Sequence, residues 1–404
     1  MRALSKVCYN KILSTARKGE VMEGRYGRCH QGLMQHEKIR VGIVGAGNIS
    51  DQYLSNLTTF PDFDVIFVAD LDRERAAAQA KKWGVPASGS LDELLANDQI
   101  QLVINLTIPA AHVPVSLAAL NAGKHVWSEK PMALDRSGAT QLLEAAKKNG
   151  VRLGIAPDTF LGAGIQTGLN AIRGGSIGKP LTALTIFQTA GPDSWHPDPA
   201  FLFAKGAGPL FDMGPYYVTT LVQVFGNATR VTATSSKSQD NRTVGSGPKK
   251  GTSFPVEEPT QITALIEFAS GASAVSIFSF EAAHEVTGFV EITGSEGAIK
   301  LPDPNNFDGE SILYQTGQEP KNLTAVGNKH GRGLGALNMM QSFLVGNDHI
   351  ASANLGNHVL DILISISESA ARKESISVKS NLDKNAALDP NWDPLRHFLP
   401  TNNH

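Results

Sequence analysis

A lysine, a carboxylate and a phenol carry the chemistry this chain has to offer. The lysine lies in "HVWSEKPMALD", residues 125 to 135, where an apolar run from His125 to Trp127 leads straight into Glu129, Lys130 and Pro131. Open α/β sheets place ligands at such strand ends. A lysine there can hydrogen-bond a substrate hydroxyl and stabilise the alkoxide that forms as hydride leaves. Its charge also lowers the pKa of a neighbouring acid. Pro131 fixes the backbone direction and suits a cis bond. The plainer alternative is a surface ion pair. The carboxylate and phenol lie in "GAGPLFDMGPYYVTTLVQVFG", residues 206 to 226. Asp212 and Tyr216 are four apart, hence on one helical face if the turn is regular. Pro215 between them fits only near a helix start. From a second domain this pair could meet Lys130 across a cleft, and the phenol could take the hydroxyl proton if lysine depresses its pKa from about 10. The alternative is a helix-capping Asp and a core Tyr, with Tyr217 as a packing neighbour.

A cofactor site is written in "VGIVGAGNIS". A strand runs into Gly45 and Gly47, and Asn48 and Ile49 open a helix. Gly45 permits the tight turn; Gly47 lets the backbone approach a pyrophosphate at the helix N-terminus. Ser50 replaces the usual third glycine, which should loosen helix–strand packing slightly. The next strand ends in Asp70, close to where an acid meets the adenosine ribose hydroxyls. An acid there repels a 2′-phosphate, so NAD(H) is favoured over NADP(H), though Arg73 and Arg75 could recruit a phosphate. Asp70 could instead cap the next helix. In "NLTIPAAH", the strand end with Thr107, and Pro109 at the helix start, should flank the ribose and nicotinamide together with Glu129 and Lys130. His112 follows at this cofactor edge and reads as a capping or packing histidine rather than a catalyst.

Substrate contacts are expected from Asp158 and Thr159 in "APDTFLGAG", and from Trp195 and His196 in "GPDSWHPDPAFLF". A tryptophan face stacks on a sugar's C–H surface, and histidine bonds hydroxyls. A loop packed by its own aromatics is the alternative. Arg332 in "KHGRGLG" could reach a substrate hydroxyl but reads more simply as a surface ion pair.

The elements that must position these groups fall into two patterns. Residues 39 to 157 alternate short apolar runs such as "IRVGIVG", "FDVIFVAD" and "QLVINLTI" with helical stretches such as "SGATQLLEAAKKNG". Apolar strands separated by helices imply a parallel sheet covered on both faces. Beyond them, "LTALTIFQTA", "QITALIEFAS", "SAVSIFSFE" and "VTGFVEITGS" alternate and are joined by short turns, which predicts an antiparallel sheet with one covered face. The fold class is α/β: a Rossmann dinucleotide-binding domain over 38–158, then an α+β substrate and oligomerisation domain over 159–385. Residues 1–37 form a leader and 386–404 a tail. The Ser, Gly, Pro and Lys-rich stretch 235–259 predicts a long loop without chemistry.

Composition narrows the class. The 404 residues are 41% hydrophobic and 18% charged, with a formal net charge of −2 and no long basic block. That argues against nucleic acid as a partner. No apolar run is long enough to span a bilayer. The two cysteines, Cys8 and Cys29, lie in the leader, so a thiol nucleophile, a structural disulfide and a cysteine metal site are excluded from the rest. The histidines lack zinc-helix spacing, and no metal is expected. The polar, basic leader has no signal-type apolar core. It reads as an arm, a targeting segment or, in the favoured reading, a start placed too early, with Met22 or Met34 as the true beginning; a cytoplasmic protein is expected.

The chain resembles the Gfo/Idh/MocA family: glucose–fructose oxidoreductase, inositol dehydrogenase and their relatives. The resemblance is carried by "VGIVGAGNIS", "VADLDRERA", "TIPAAHVPVSLAALNAGKHVWSEKPMAL", "GAGPLFDMGPYYVTTLVQVFG" and "ITGSEGAIKLPDP", which together span most of residues 39 to 378. It implies a Rossmann domain followed by an open antiparallel sheet that often builds dimers or tetramers. It places Lys130 at the family's catalytic lysine, Asp212 at its acid and Tyr216 at its acid/base position. Inositol-dehydrogenase-like members carry histidine at that last position, so the tyrosine resembles the sugar-oxidoreductase branch. Asn338 stands where relatives often show Asp, which speaks against an acidic role there. Three functions follow: an NAD(H)-dependent dehydrogenase of a sugar, glycoside or cyclitol, assembled as a homodimer or homotetramer; a redox-neutral enzyme that cycles tightly bound NAD(H) through a 3-keto sugar; and a nucleotide-sensing regulator without activity.

Overall fold

The computed structural model of the chain describes residues 38–398, save 285 and 384. The readings of the leader, with Cys8, Cys29, Met22 and Met34, and the end of the tail lie outside the described residues.

The first half builds on six short strands, of which the last three are buried throughout and the third is a partly exposed edge. They are β1 (Ile39–Val44), β2 (Phe63–Ala69), β3 (Ala87–Gly89), β4 (Leu102–Asn105), β5 (His125–Ser128) and β6 (Leu153–Ile155). Between them run helices α1 (Asn48–Leu57), α2 (Arg73–Trp83), α3 (Leu91–Ala96), α4 (Pro109–Asn121) and α5 (Arg136–Asn149). All neighbouring strands pair parallel, in the order β3-β2-β1-β4-β5-β6. The chain therefore reverses its direction of travel between β1 and β4. The carboxyl ends at that point form the crevice where such folds hold ligands. β4 and β5 are buried along their whole length, as strands covered on both faces must be. The helices begin and end on local signals: Asp72 and Asp135 cap α2 and α5, and Gly84 and Gly150 close them in the left-handed conformation. Ser50 is fully buried without disturbing this arrangement. Its hydroxyl donates to Gly47 O at 2.6 Å and receives Gln79 Nε2 at 2.9 Å, so the extra atoms are absorbed by hydrogen bonds.

The second half opens with α6 (Ala163–Arg173), β7 (Pro180–Gln188) and α7 (Gly208–Phe225). It continues through β8 (Ala228–Ser236), β9 (Asn241–Thr243), β10 (Ser253–Pro255), β11 (Gln261–Phe268), β12 (Ser273–Ser279) and β13 (Val286–Gly294). It closes with β14 (Gly297–Leu301), β15 (Ser311–Gln315), β16 (Lys321–Leu323), α8 (Leu334–Leu344), α9 (Ala353–Arg372) and β17 (Ile376–Ser377). Nine strands form one sheet in the order β16-β15-β14-β13-β7-β12-β11-β8-β17. It is mostly antiparallel, but β7 and β12 pair parallel. Alternating burial along β11 shows one covered face and one open face. On the open face, Leu265, Val275 and Leu184 stand side by side across β11, β12 and β7 and are 37–40% exposed.

Two local expectations are corrected. The stretch 235–259 is not wholly a loop: β9 and β10 pair antiparallel. They present the buried Arg242, which donates to Asp193 Oδ1, Ala190 O and Phe280 O at 2.8–2.9 Å. Pro215 does not sit near a helix start; Pro209 does, and Pro215 lies inside α7. The helix tolerates it by losing the N–H that Phe211 O would otherwise receive.

The halves are joined within one compact unit, Ile39–Arg396. Arg136, at the start of α5, reaches α9: its guanidinium donates to Asp361 Oδ1 at 2.5 Å, Glu368 Oε1 at 2.7 Å and Ser365 Oγ at 2.9 Å. Asp361 is buried and also accepts Lys379 N and Ser380 N. Arg136→Met should therefore lower unfolding stability by about 1.5–3 kcal/mol, read as a shifted urea midpoint at unchanged m-value.

Candidate active site

Lys130 leaves the end of β5 and crosses to α7. Its Nζ donates to Asp212 Oδ1 at 2.8 Å and to Asp212 O at 2.7 Å. The Lys130–Pro131 bond is cis. Both side chains are largely shielded, 14% and 23% exposed. Burial works against the ammonium, yet the carboxylate of Asp212, with Tyr216 and Glu129 beside it, holds the pKa of Lys130 above its ordinary value. Lys130 is therefore a charged donor, not a base. One turn beyond Asp212, the buried ring of Tyr216 has its centroid 5.3 Å from Lys130 Nζ. The three residues expected to act together are brought together.

Around them lies a polar network that sequence reading saw only in part. Trp127 Nε1 donates to Tyr53 Oη at 3.0 Å, and Tyr53 Oη donates to Glu129 Oε1 at 2.8 Å. Glu129 Oε2 accepts Lys130 N at 3.1 Å. Burial raises the pKa of Glu129, but Arg332 and Lys130 outweigh it and hold the carboxyl below its ordinary range. Arg332, expected at the surface, is only 9% exposed and donates from Nη2 to Tyr216 Oη at 3.0 Å. Tyr53 and Gln52 were missed, and the only signal for them is their place on the helix that follows the glycine loop.

The residues assigned to a dinucleotide fit one. Gly45 has φ 102°, and a Cβ there would come within 2.7 Å of Leu106 O, so no other residue makes this turn without strain. Gly47 is the N-cap of α1, no side chain caps it, and a Cβ on it would meet nothing within 4 Å. The first-turn N–H groups, with Asn48 and Ile49 leading the helix, face an open approach suited to a phosphate. Asp70 closes the loop from the next strand: Oδ2 accepts Ala46 N at 2.7 Å, and Oδ1 accepts Asp72 N at 2.9 Å and Arg75 Nη2 at 2.6 Å. Burial opposes the charge of Asp70, but these partners hold its pKa below the ordinary value. Arg73 is turned to Glu93 at 3.2 Å. Thr107 donates to Asn105 Oδ1 from both N and Oγ1, and Pro109 opens α4. His112 is buried, with Nδ1 2.7 Å from Pro131 O and Nε2 2.9 Å from Thr107 O. Both ring nitrogens are thus engaged in joining the β4 and β5 loops, and burial lowers its pKa.

The four expected substrate residues divide. Asp158 and Thr159 are buried rather than lining an open surface. Asp158 Oδ2 accepts Gly333 N at 2.8 Å and Gly335 N at 3.1 Å, which fixes the turn carrying Arg332. Trp195 is 66% exposed, and among the described residues no hydrogen bond, ion pair or ring contact joins it or His196 to the Lys130 cluster. The His196 ring meets Trp195 and Phe201 edge to face, with centroids 5.5 Å apart in both pairs. Asn338 is buried and accepts Ile350 N at 3.1 Å. Among the described residues no group of histidine, cysteine or acidic side chains could hold a metal ion, and no helix is long and apolar enough to cross a membrane.

The chain is similar to known proteins in sequence and fold. Residues 39–156 match the oxidoreductase family profile with NAD-binding Rossmann fold, and residues 165–300 match the GFO/IDH/MocA C-terminal domain. Fold and profile define an NAD-binding oxidoreductase class. The chain belongs to the Gfo/Idh/MocA family. It is 27% identical to 1,5-anhydro-D-fructose reductase of Ensifer adhaerens over 64% of this chain and 74% of that one. It is 26% identical to trans-1,2-dihydrobenzene-1,2-diol dehydrogenase of Bos taurus over 66% and 75%. Levoglucosan dehydrogenase in complex with NADH and L-sorbose shares the fold, with a TM-score of 0.76 at 21% identity over 85% of this chain and all of that one.

Burial raises the pKa of Asp158 to about 6, against the opposing pull of Arg332 and the two backbone donors. An acid whose folded pKa is raised keeps its full contribution below the unfolded value and loses it as pH climbs through the folded one. Asp158→Asn should therefore gain stability relative to wild type as pH rises from about 4 to about 6. Melting temperatures of both proteins across that range check this.

Proposed function

We propose that the protein is an NAD(H)-dependent dehydrogenase acting on a secondary hydroxyl of a sugar, glycoside or cyclitol. The observation that carries this reading is the convergence of the Lys130 ammonium and the Tyr216 phenol, from opposite lobes, beside a loop built for a dinucleotide. The bound nicotinamide supplies the hydride acceptor or donor. Tyr216 takes the hydroxyl proton during oxidation and returns it during reduction. Lys130, kept charged by Asp212, donates to the substrate oxygen and stabilises it as it becomes anionic. Asp212 orients Lys130 through both its carboxylate and its carbonyl.

The cofactor reading favours NAD(H) because the Asp70 carboxylate at the end of β2 repels a 2′-phosphate. Arg75 is already occupied by Asp70 and Arg73 by Glu93. Relatives named for anhydrofructose, dihydrodiol and inositol substrates support a polyol. The exposed row Leu184, Val275 and Leu265 supports assembly of a homodimer or homotetramer through the open sheet face.

Tyr216→Phe and Lys130→Ala should each lower turnover by about 10²–10⁴-fold while nucleotide fluorescence still reports NAD(H) binding. The assay is a polyol and glycoside panel with NAD and NADP, followed by NADH absorbance. Near-full turnover in both variants defeats the assignment; product without accumulating NADH would instead point to an internally cycled cofactor.

A further inference from the structure

Arg332 stands on the turn that opens α8, and its guanidinium joins three other elements. Nε donates to Gln52 Oε1 on α1 at 3.1 Å, Nη2 donates to Tyr216 Oη on α7 at 3.0 Å, and Nη1 lies 3.7 Å from Glu129 Oε1 beyond β5. The turn itself is pinned by Asp158 through Gly333 N and Gly335 N. A guanidinium carries no acceptor, so the oxygen of Tyr216 is the acceptor in this bond. Among the described residues, the one hydrogen bond at the phenol oxygen is the one it accepts from Arg332, and no carbonyl or carboxylate is bonded to it.

We propose that Arg332 is a positioning residue for this reaction: it clamps the Tyr216 oxygen as an acceptor, fixes the direction of the phenolic O–H, and stabilises phenolate over phenol. The inference rests on the reading of Tyr216 as the acid/base group. A hydrogen bond from a cation to an anionic oxygen is stronger than one to a neutral hydroxyl, and a bond to the charged form favours that form. The groups around the phenol come from every neighbouring element. Lys130 faces the ring from the β5 end, with Asp212 held against it. Glu129 lies between Arg332 and Tyr53, and Asp158 lies behind the Arg332 turn. Tyr217 turns to Asp303 instead, at 3.0 Å. Among the described residues, Arg332 alone donates to the phenol oxygen. Its own charge is secure: burial opposes it, but Tyr216 and Glu129 hold its pKa above the ordinary value.

The experiment is a near-ultraviolet phenolate titration of wild type, Tyr216→Phe, Arg332→Met and Arg332→Lys. Subtracting the Tyr216→Phe curve isolates Tyr216 among the six tyrosines. In Arg332→Met, Tyr216 should ionise at least about one pH unit higher than in wild type. The limb of the kcat/KM profile for oxidation should move up with it. Arg332→Lys, a cation without the planar fork, should fall between the two. An Arg332→Met titration that overlays wild type overturns the proposal. So does a wild-type Tyr216 that ionises at or above the ordinary phenol value of about 10, a result that needs no variant of Arg332 to fold. If Tyr216→Phe keeps full turnover, the acid/base assignment fails on its own, while the titration still reports what Arg332 does to the phenolate.

Discussion

The ion pair between Lys130 and Asp212 is the constraint around which both halves are arranged. It takes an ammonium from the end of a parallel strand and a carboxylate from the long helix of the other half, and it holds them 2.8 Å apart with little solvent. A pair shielded in this way is strong only if its geometry is good, because each charge has lost hydration. Asp212 answers that with two acceptors, its side chain and its own carbonyl. Pro215 lies three residues on and has no N–H to donate back into this turn. The helix residue that looks like a defect thus lies in the turn that receives the lysine.

Around this pair the buried charges alternate in sign. Trp127, Tyr53, Glu129, Arg332 and Tyr216 form one connected run, with Glu129 between two cations and Arg332 between two oxygen groups. Such an arrangement is costly if any member is missing, since a lone buried charge has no solvent to turn to. It also means that Glu129 serves the floor of the site as much as any ligand. The room below is tight: Cβ atoms on Gly154 or Gly335 would stand 2.6 and 2.0 Å from the Trp127 ring.

Much of the fold and part of the site were legible in the sequence. The glycine loop, the run into Lys130 and the Asp212–Tyr216 spacing are local signals, each tied to the start or end of one element. The parallel sheet was readable because strands buried on both faces are apolar throughout. Arg332 was singled out, but its burial and its bonds were not legible, because its partners Gln52, Glu129 and Tyr216 come from three other elements and no periodicity connects them. A lone arginine between glycines looks like solvated surface until the fold closes over it. Arg242 was hidden for the same reason, within a stretch whose composition reads as loop. The parallel pairing of β7 with β12 escaped because alternation reports which face is buried, not which way a neighbour runs.

That pairing bears on how the chain assembles as it is made. β7 occupies residues 180–188, yet both of its hydrogen-bonding edges are filled by segments that come much later, 273–279 on one side and 286–294 on the other. During synthesis the middle strand of the sheet leaves the ribosome long before either neighbour exists. An unpaired strand of this length is an invitation to wrong partners. The nucleotide-binding half carries no such debt, because each of its strands finds a neighbour within the first 155 residues. Biogenesis therefore divides unevenly, with an early sheet whose strands are all made by residue 155 and a later sheet whose central strand waits for residues 273–294.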